Sequence, residues 1–460
     1  MSIKYQNKNI KSVLDFGAIP NSDATTSIQA ALNASSGYTL SLGGGSYNVG
    51  NLVVNVPCKL VDGTLTSNVA SGVILTISSN NVVLDSLELN GGSQSQGVFI
   101  SDGYDNITIK NCYIHDIYSD ASTSNAILFS DSNSIKILDN HIYNVKSSTQ
   151  AVPVRAIRGD GTISPHSIVI KGNTIDYVDH ISVSGSNDAD GIVIQNYGMS
   201  DIIIAENTFR RCGKRAIKIQ SAGCLVSDNS ITMSSGSIDP YAAISLYASN
   251  CVATSNRIYG PCTFAGIGIG GGSEGQVVTG NQIDFGSHSN VSLDGINTDV
   301  GASNYSVVSG NSIKGTHRSG VRLSHACTGV SISSNISKGA SASAYIMTAS
   351  GTACSFVGNV GISHAHYLLH DNNIGTTSKC VAVGNSNDGG GFGPISATFL
   401  ADAQVHAHGN GTTSILTGAG SPESSVTAGV GCIYLRTGGG TSTTFYVKET
   451  GTGNTGWVAK

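Results

Sequence analysis

One short pattern recurs down this chain and limits what it can fold into. It reads apolar, any, apolar, two or three small polar residues, Asn, any, apolar. Ile135-Lys136-Ile137 leads to Asn140 and Ile142, Ile168 leads to Asn173 and Ile175, and Ile202 leads to Asn207 and Phe209. Further copies carry Asn229, Asn256, Asn281 and Asn311, each with Ile two residues on, and weaker copies carry Asn335, Asn359 and Asn385. Successive Asn are 22 to 34 residues apart. Irregular repeats of this size mean a stacked solenoid.

A second element recurs in each copy: small residue, apolar, any, apolar. Examples are Ala126-Ile127-Leu128-Phe129, Gly191-Ile192-Val193-Ile194, Ala216-Ile217-Lys218-Ile219 and Gly266-Ile267-Gly268-Ile269. Alternation over so few residues is strand, not helix. The 45 Ile against 22 Leu agree, because a β-branched side chain suits a pleated surface. Two short strands plus turns per repeat predict one coil of a single-stranded parallel β-helix, an all-β fold. Eleven or twelve coils, each adding about 4.8 Å, would make a rod of roughly 55 to 60 Å. The Asn column belongs at a tight inward corner, where stacked amides can satisfy buried backbone groups. It is read as structural.

The ends differ from the middle. Residues 1–50 read as a cap segment with a short helix over Ala24 to Ala34, Asp23 as N-cap, and Ile28, Ala31 and Leu32 on one face. Residues 51–388 are the β-helix, 389–420 a transition, and 421–460 a small β module holding the lone Trp457. Cys224, Cys251, Cys354 and Cys380 open apolar strand patterns and read as small core residues. His364, His366 and His370 lie on no helical pattern and read as loop or surface histidines. There is no apolar run long enough to span a membrane, and Met1 to Lys11 has no apolar signal core. A net charge of -5 argues against nucleic acid as partner. No metal or cofactor is implied.

Loop lengths locate a groove. From the apolar residue after the Asn column to the next strand, Ile114 to Ile127, Ile142 to Ile157 and Ile175 to Ile192 span long loops. Phe209 to Ile217 is short, and Ile231 to Ile244 is long again. A short coil between long ones leaves a trough on the rod's side, where function usually sits. In a chain only 12% charged, Arg155, Arg158, Arg210, Arg211 and Arg215 gather there with Lys214 and Lys218. The nearby acids are Asp160, Asp176, Asp179, Asp188 and Asp190, with Asp239 on the far wall; Tyr177, His180 and Tyr241 add rings. Arginine forks bind carboxylates bidentately, so an acidic sugar is the natural ligand. Arg155, Asp190 and Arg215 fall at equivalent positions of three successive coils, so a simple ion-pair ladder is the competing reading.

The N-terminal run Ser12-Val13-Leu14-Asp15-Phe16-Gly17-Ala18, with Gly43-Gly44-Gly45-Ser46-Tyr47-Asn48-Val49 after the helix, resembles the start of the pectate-lyase-like β-helix superfamily. The C-terminal run from Gly431-Cys432-Ile433-Tyr434 through Thr444-Phe445-Tyr446-Val447 to Gly456-Trp457-Val458 resembles a terminal module of phage tailspikes and tail fibres. The resemblance implies a right-handed helix, in keeping with the bias of parallel crossovers. It also implies a homotrimeric spike on a phage tail or baseplate, helped to trimerise by the C-terminal module, that binds and usually cleaves a bacterial surface polysaccharide. No head-attachment domain is evident before residue 12. Polygalacturonase motifs are only echoed by Asn187-Asp188-Ala189-Asp190 and Arg215-Ala216-Ile217-Lys218, and there is no Gly-His-Gly, so no catalytic residue carries over.

Hydrolysis of a glycoside needs two carboxyl groups, about 5 Å apart when retaining and about 6.5 to 9.5 Å when inverting. Neighbouring coils can supply either spacing. Between cations, Asp190 is expected to stay ionised and act as nucleophile or base, with Asp239 or Asp176 as the acid and Asp188 holding water or sugar. Arg155, Arg158, Arg210, Arg211, Arg215, Lys218, Tyr177, His180 and Tyr241 would bind substrate. The rival reactions are elimination on a uronic acid, with Arg215 or Arg158 neutralising the carboxylate and His180, Lys218 or Tyr177 as base, and pure glycan adhesion.

Overall fold

A computed structural model describes residues 9–460 except 94–95, 121–122, 149–151, 162–166, 181–187, 196–197, 199, 235–239, 288–292, 299–300, 372–379 and 389–414. The chain winds into a right-handed parallel β-helix. Each strand pairs in parallel with its equivalent one coil further on, as Ile135–Leu138 does with Ile168–Lys171. Each coil has three strands, not the two the sequence pattern predicts: Ile135–Leu138, His141–Ser147 and Val154–Asp160 make one coil. The reason lies at the Asn corner. The residue before each ladder Asn is left-handed, as at Asp139 (φ 53) and Glu206 (φ 57), which ends one strand and starts another at an angle. The third strands form one sheet of thirteen, running from Leu52–Val54 to Leu369–Asp371. That exceeds the eleven or twelve coils expected.

The Asn column is a continuous ladder. Asn256 is representative: its Nδ2 donates to Val226 O at 3.0 Å and to Asn281 Oδ1 at 2.9 Å. Its Oδ1 accepts from the backbone N–H and the Nδ2 of Asn229, at 3.1 and 2.9 Å. The same bonds recur from Asn140 to Asn385. Each buried amide thus serves a backbone carbonyl below and a backbone N–H beside it, groups no strand can reach at the corner.

Inside the rod, Ile127, Ile157, Ile192, Ile217, Ile244, Ile267 and Ile296 stack in register, all buried. The residue before each is small because space is lacking. A Cβ on Gly191 would sit 2.6 Å from Ala216 O and 2.9 Å from the Phe209 ring. The helix over the N-terminal end spans Thr25–Asn33 and buries Ile28, Ala31 and Leu32 against the core. Its N-cap residue is Ala24; Asp23 acts from one position earlier, accepting from the N–H and hydroxyl of Thr25. All ten cysteines are free and buried. At the C-terminal end of the chain, Ile415–Gly418, Ile433–Arg436, Phe445–Lys448 and Trp457–Ala459 form a four-stranded sheet around Cys432, Tyr434, Tyr446 and Trp457.

Candidate functional site

The third face carries the densest charge. Arg155, Asp190 and Arg215 are direct neighbours in the ladder, on Val154–Asp160, Ala189–Ile194 and Arg215–Ile219. Asp188 lies just ahead of Asp190, its carbonyl held by Val154 N–H at 2.8 Å. Four cations surround the Asp188 carboxylate: Lys214 Nζ at 3.0 Å and Arg215 Nη1 at 3.1 Å on Oδ1, Lys218 Nζ at 2.7 Å and Arg155 Nη2 at 3.8 Å on Oδ2. Arg215 Nη1 also lies 3.5 Å from Asp190 Oδ1, while Asp190 Oδ2 has no hydrogen-bond partner among the described residues. The Arg215 guanidinium sits over the rings of Tyr241 and Tyr247, 5.0 and 6.0 Å from their centroids. Tyr241 stacks in turn on Phe264 at 4.9 Å. Four cations against two acids leave a positive surplus beside an aromatic platform.

The two acids titrate in opposite directions. Burial pulls Asp188 upward, but the Lys218 hydrogen bond and the charges of Lys218, Arg215 and Lys214 outweigh it and hold the carboxyl well below its ordinary value. Asp190 is completely buried, and burial pushes it up to about 6 despite Arg215. The flanking cations alone would lower the Asp190 value; at a carboxyl with no solvent contact desolvation outweighs their attraction and raises it, so the group is ionised only above about pH 6.

The expected trough divides between two sheets. Asp176 and Tyr177 on Thr174–His180, and Arg210 and Arg211 on Thr208–Cys212, belong to the second face, not to the sheet of Asp190 and Arg215. There Arg211 grips Asp176 Oδ1 through Nε and Nη2, at 2.9 and 2.8 Å, and lies over Tyr177 at 4.9 Å. Tyr177 (φ 61) and Arg211 (φ 52) are left-handed bends in their strands, which a linear spacing argument does not see. Asp176 is thus committed to Arg211 and is not the acid beside Asp190. His180 ends the strand Thr174–His180, Arg158 pairs with Asp160 on the third face, and Asp239 lies outside the described residues.

A second charged cluster escaped the sequence reading. Asp294 occupies the row of Asp190 and Arg215, reached through Ala242 and Ala265. Arg318 binds it bidentately at 3.0 and 2.5 Å, Asn297 Nδ2 donates at 2.6 Å, and Arg322 Nε lies 4.0 Å away. The signal was present: Asp294-Gly295-Ile296 repeats Asp190-Gly191-Ile192. Both Asp294 oxygens are occupied, so this cluster reads as a clamp. Among the described residues no group of three or more His, Cys, Asp or Glu is placed to hold a metal ion.

The sequence matches the right-handed β-helix region family over residues 48–242. No curated protein matches it. Its structure is similar to a mutant tailspike protein of E. coli bacteriophage HK620 in complex with a pentasaccharide. That match has 11% identity and a TM-score of 0.54 over 85% of this chain and 80% of the tailspike. A double mutant of the same tailspike gives 14% and 0.50, over 83% of this chain and 67% of that one. The family 28 exopolygalacturonase of Yersinia enterocolitica gives 12% and 0.46, over 82% and 78%. At these identities the likeness is one of fold: a tailspike-like right-handed β-helix.

Proposed function

We propose that this protein is a tailspike-type homotrimer, carried on a phage tail, that binds an acidic polysaccharide of the bacterial surface and depolymerises it by hydrolysis. The observation that carries the reading is the Asp188–Asp190 pair, whose environments drive the two carboxyls apart in acidity. Such a divergence separates a general acid from an ionised partner. Asp190, raised to about 6, is the proton donor to the glycosidic oxygen, and Asp188 is the base or nucleophile. Both touch Arg215 Nη1, so the two oxygens are at most about 7 Å apart, within reach of both faces of one glycosidic bond. The surplus of Arg155, Lys214, Arg215 and Lys218 selects a glycan bearing carboxylates. Asp190 is covered, so the glycan reaches it when an incoming carboxylate draws the Arg215 guanidinium aside.

The same surplus favours one rival. Elimination on a uronate requires its carboxylate to be neutralised, which these cations would do, with Lys218 as base. The test is to incubate the protein with capsular, O-antigen and exopolysaccharides and to follow chain length, reducing ends and ultraviolet absorbance together. Shortening with new reducing ends and no absorbance is expected, and Asp190→Asn should abolish it. Absorbance from an unsaturated uronate would replace hydrolysis by elimination. Saturable binding without shortening would leave an adhesin.

A further inference from the structure

The second face carries a groove that the charged cluster does not explain. A cavity of about 440 Å³ lies over the strands Ser230–Thr232, Arg257–Tyr259, Gln282–Asp284 and Ser312–His317. Its walls are two rows of outward side chains. In one, Arg257 stands beside Gln282; in the other, Tyr259 stands beside Asp284 and Lys314. The strand backbone at Ile231, Ile258 and Ile283 forms the floor, their side chains being buried in the core. Because row members are one coil apart, the groove runs along the rod axis for about 14 Å. A second cavity of about 440 Å³ on the Asn corner shares Ser230, Arg257 and Gln282, which stand as a ridge between the two.

Three of the side chains here are uncommitted. Arg257, Gln282 and the Tyr259 hydroxyl have no side-chain partner among the described residues. On the opposite wall of the same groove Asp284 and Lys314 pair with each other at 2.9 Å, which leaves the Arg257 guanidinium as the unpaired charge. Tyr259 leaves 51% of its surface open, a large ring held at the lip of a polar trench. A guanidinium fork, an amide and an open ring in a concave strip are the groups that recognise a sugar: the ring takes its apolar face, the amide its hydroxyls, the fork a carboxylate.

We propose that this groove is a second glycan-binding site, separate from the third-face cluster, which takes a linear carboxylated oligosaccharide lying along the rod axis with one sugar on Tyr259 and a carboxylate on Arg257. It requires no bond cleavage, so it stands or falls apart from the hydrolytic reading. The probe is a hexamer of galacturonic acid. Tyr259→Trp places a fluorophore at the groove, and the native Trp457 is buried in the C-terminal sheet, so its constant signal is subtracted using the wild type. Emission of Tyr259→Trp is expected to change saturably with the hexamer, at least tenfold more weakly in Tyr259→Trp/Arg257→Ala and at least tenfold more weakly with neutral maltohexaose. Calorimetry of wild type against Arg257→Ala should show the same loss without a reporter. No saturable change, or equal affinity with and without Arg257, overturns the proposal. So does emission that tracks protein concentration without ligand, which would make the groove an interface between copies.

Discussion

Replacing Asp190 by Asn should make the protein more stable at pH 8 while removing cleavage. Burial raises this carboxyl from its ordinary 3.8 to about 6. A shift of about two units corresponds to about 3 kcal/mol between the protonated and ionised forms. Since the folded value is the higher one, the stabilisation is complete below about pH 3.8 and is lost as pH rises through 6. At pH 8 the folded protein therefore holds an ionised, desolvated carboxylate that the unfolded chain would leave in water. Asn keeps the shape and cannot ionise, so it should recover most of that ~3 kcal/mol at pH 8 and nothing at pH 4. Arg215 keeps Asp188 at 3.1 Å in the variant, so it is not left without an anion. The assay is equilibrium unfolding in urea at pH 4, 6 and 8; guanidinium is avoided because its salt would screen the cluster. In the wild type cleavage should fall as pH rises above about 6, and in the variant it should drop at least about a hundredfold. A variant less stable than wild type at pH 8, or a difference that is flat across the range, would refute this reasoning and make Asp190 an ionised counterion of Arg215.

Three further outcomes follow from the same geometry. Asn256→Ala orphans the Asn229 N–H and Val226 O in a dry corner and should cost about 3 kcal/mol of stability by urea midpoint; a loss below about 1 would mean the ladder is not needed to satisfy them. Lys218→Ala should weaken binding of the acidic polysaccharide at least tenfold and flatten its salt dependence, read by surface plasmon resonance at low and high salt. Arg318→Ala leaves the fully buried Asp294 with the Asn297 amide and, as its nearest cation, Arg322 at 4.0 Å, and should cost about 3 to 5 kcal/mol while sparing cleavage; lost cleavage in a folded variant would promote that clamp to a functional role.

The repeat alone determined the solenoid, the Asn ladder and the row Arg155, Asp190, Arg215. A parallel coil converts equal positions in successive repeats into neighbours in space, so the periodic part of the sequence is already a contact map. What is not periodic stayed hidden. The sequence put Asp176 and Arg211 beside Asp190, but their strands Thr174–His180 and Thr208–Cys212 belong to a different sheet. Counting nearby cations gave the wrong direction for the Asp190 shift, because complete burial, a property of the packed coil, outweighs them and raises it. Ser230, Arg257 and Gln282 hold the variable position between the ladder Asn and the next Ile, so their alignment is periodic, but only the folded second face shows that they and Lys314 line one groove. Register is translation and survives in the string of letters; the direction of a side chain at a corner and its distance from water depend on dihedral angles and neighbours that only the folded chain supplies.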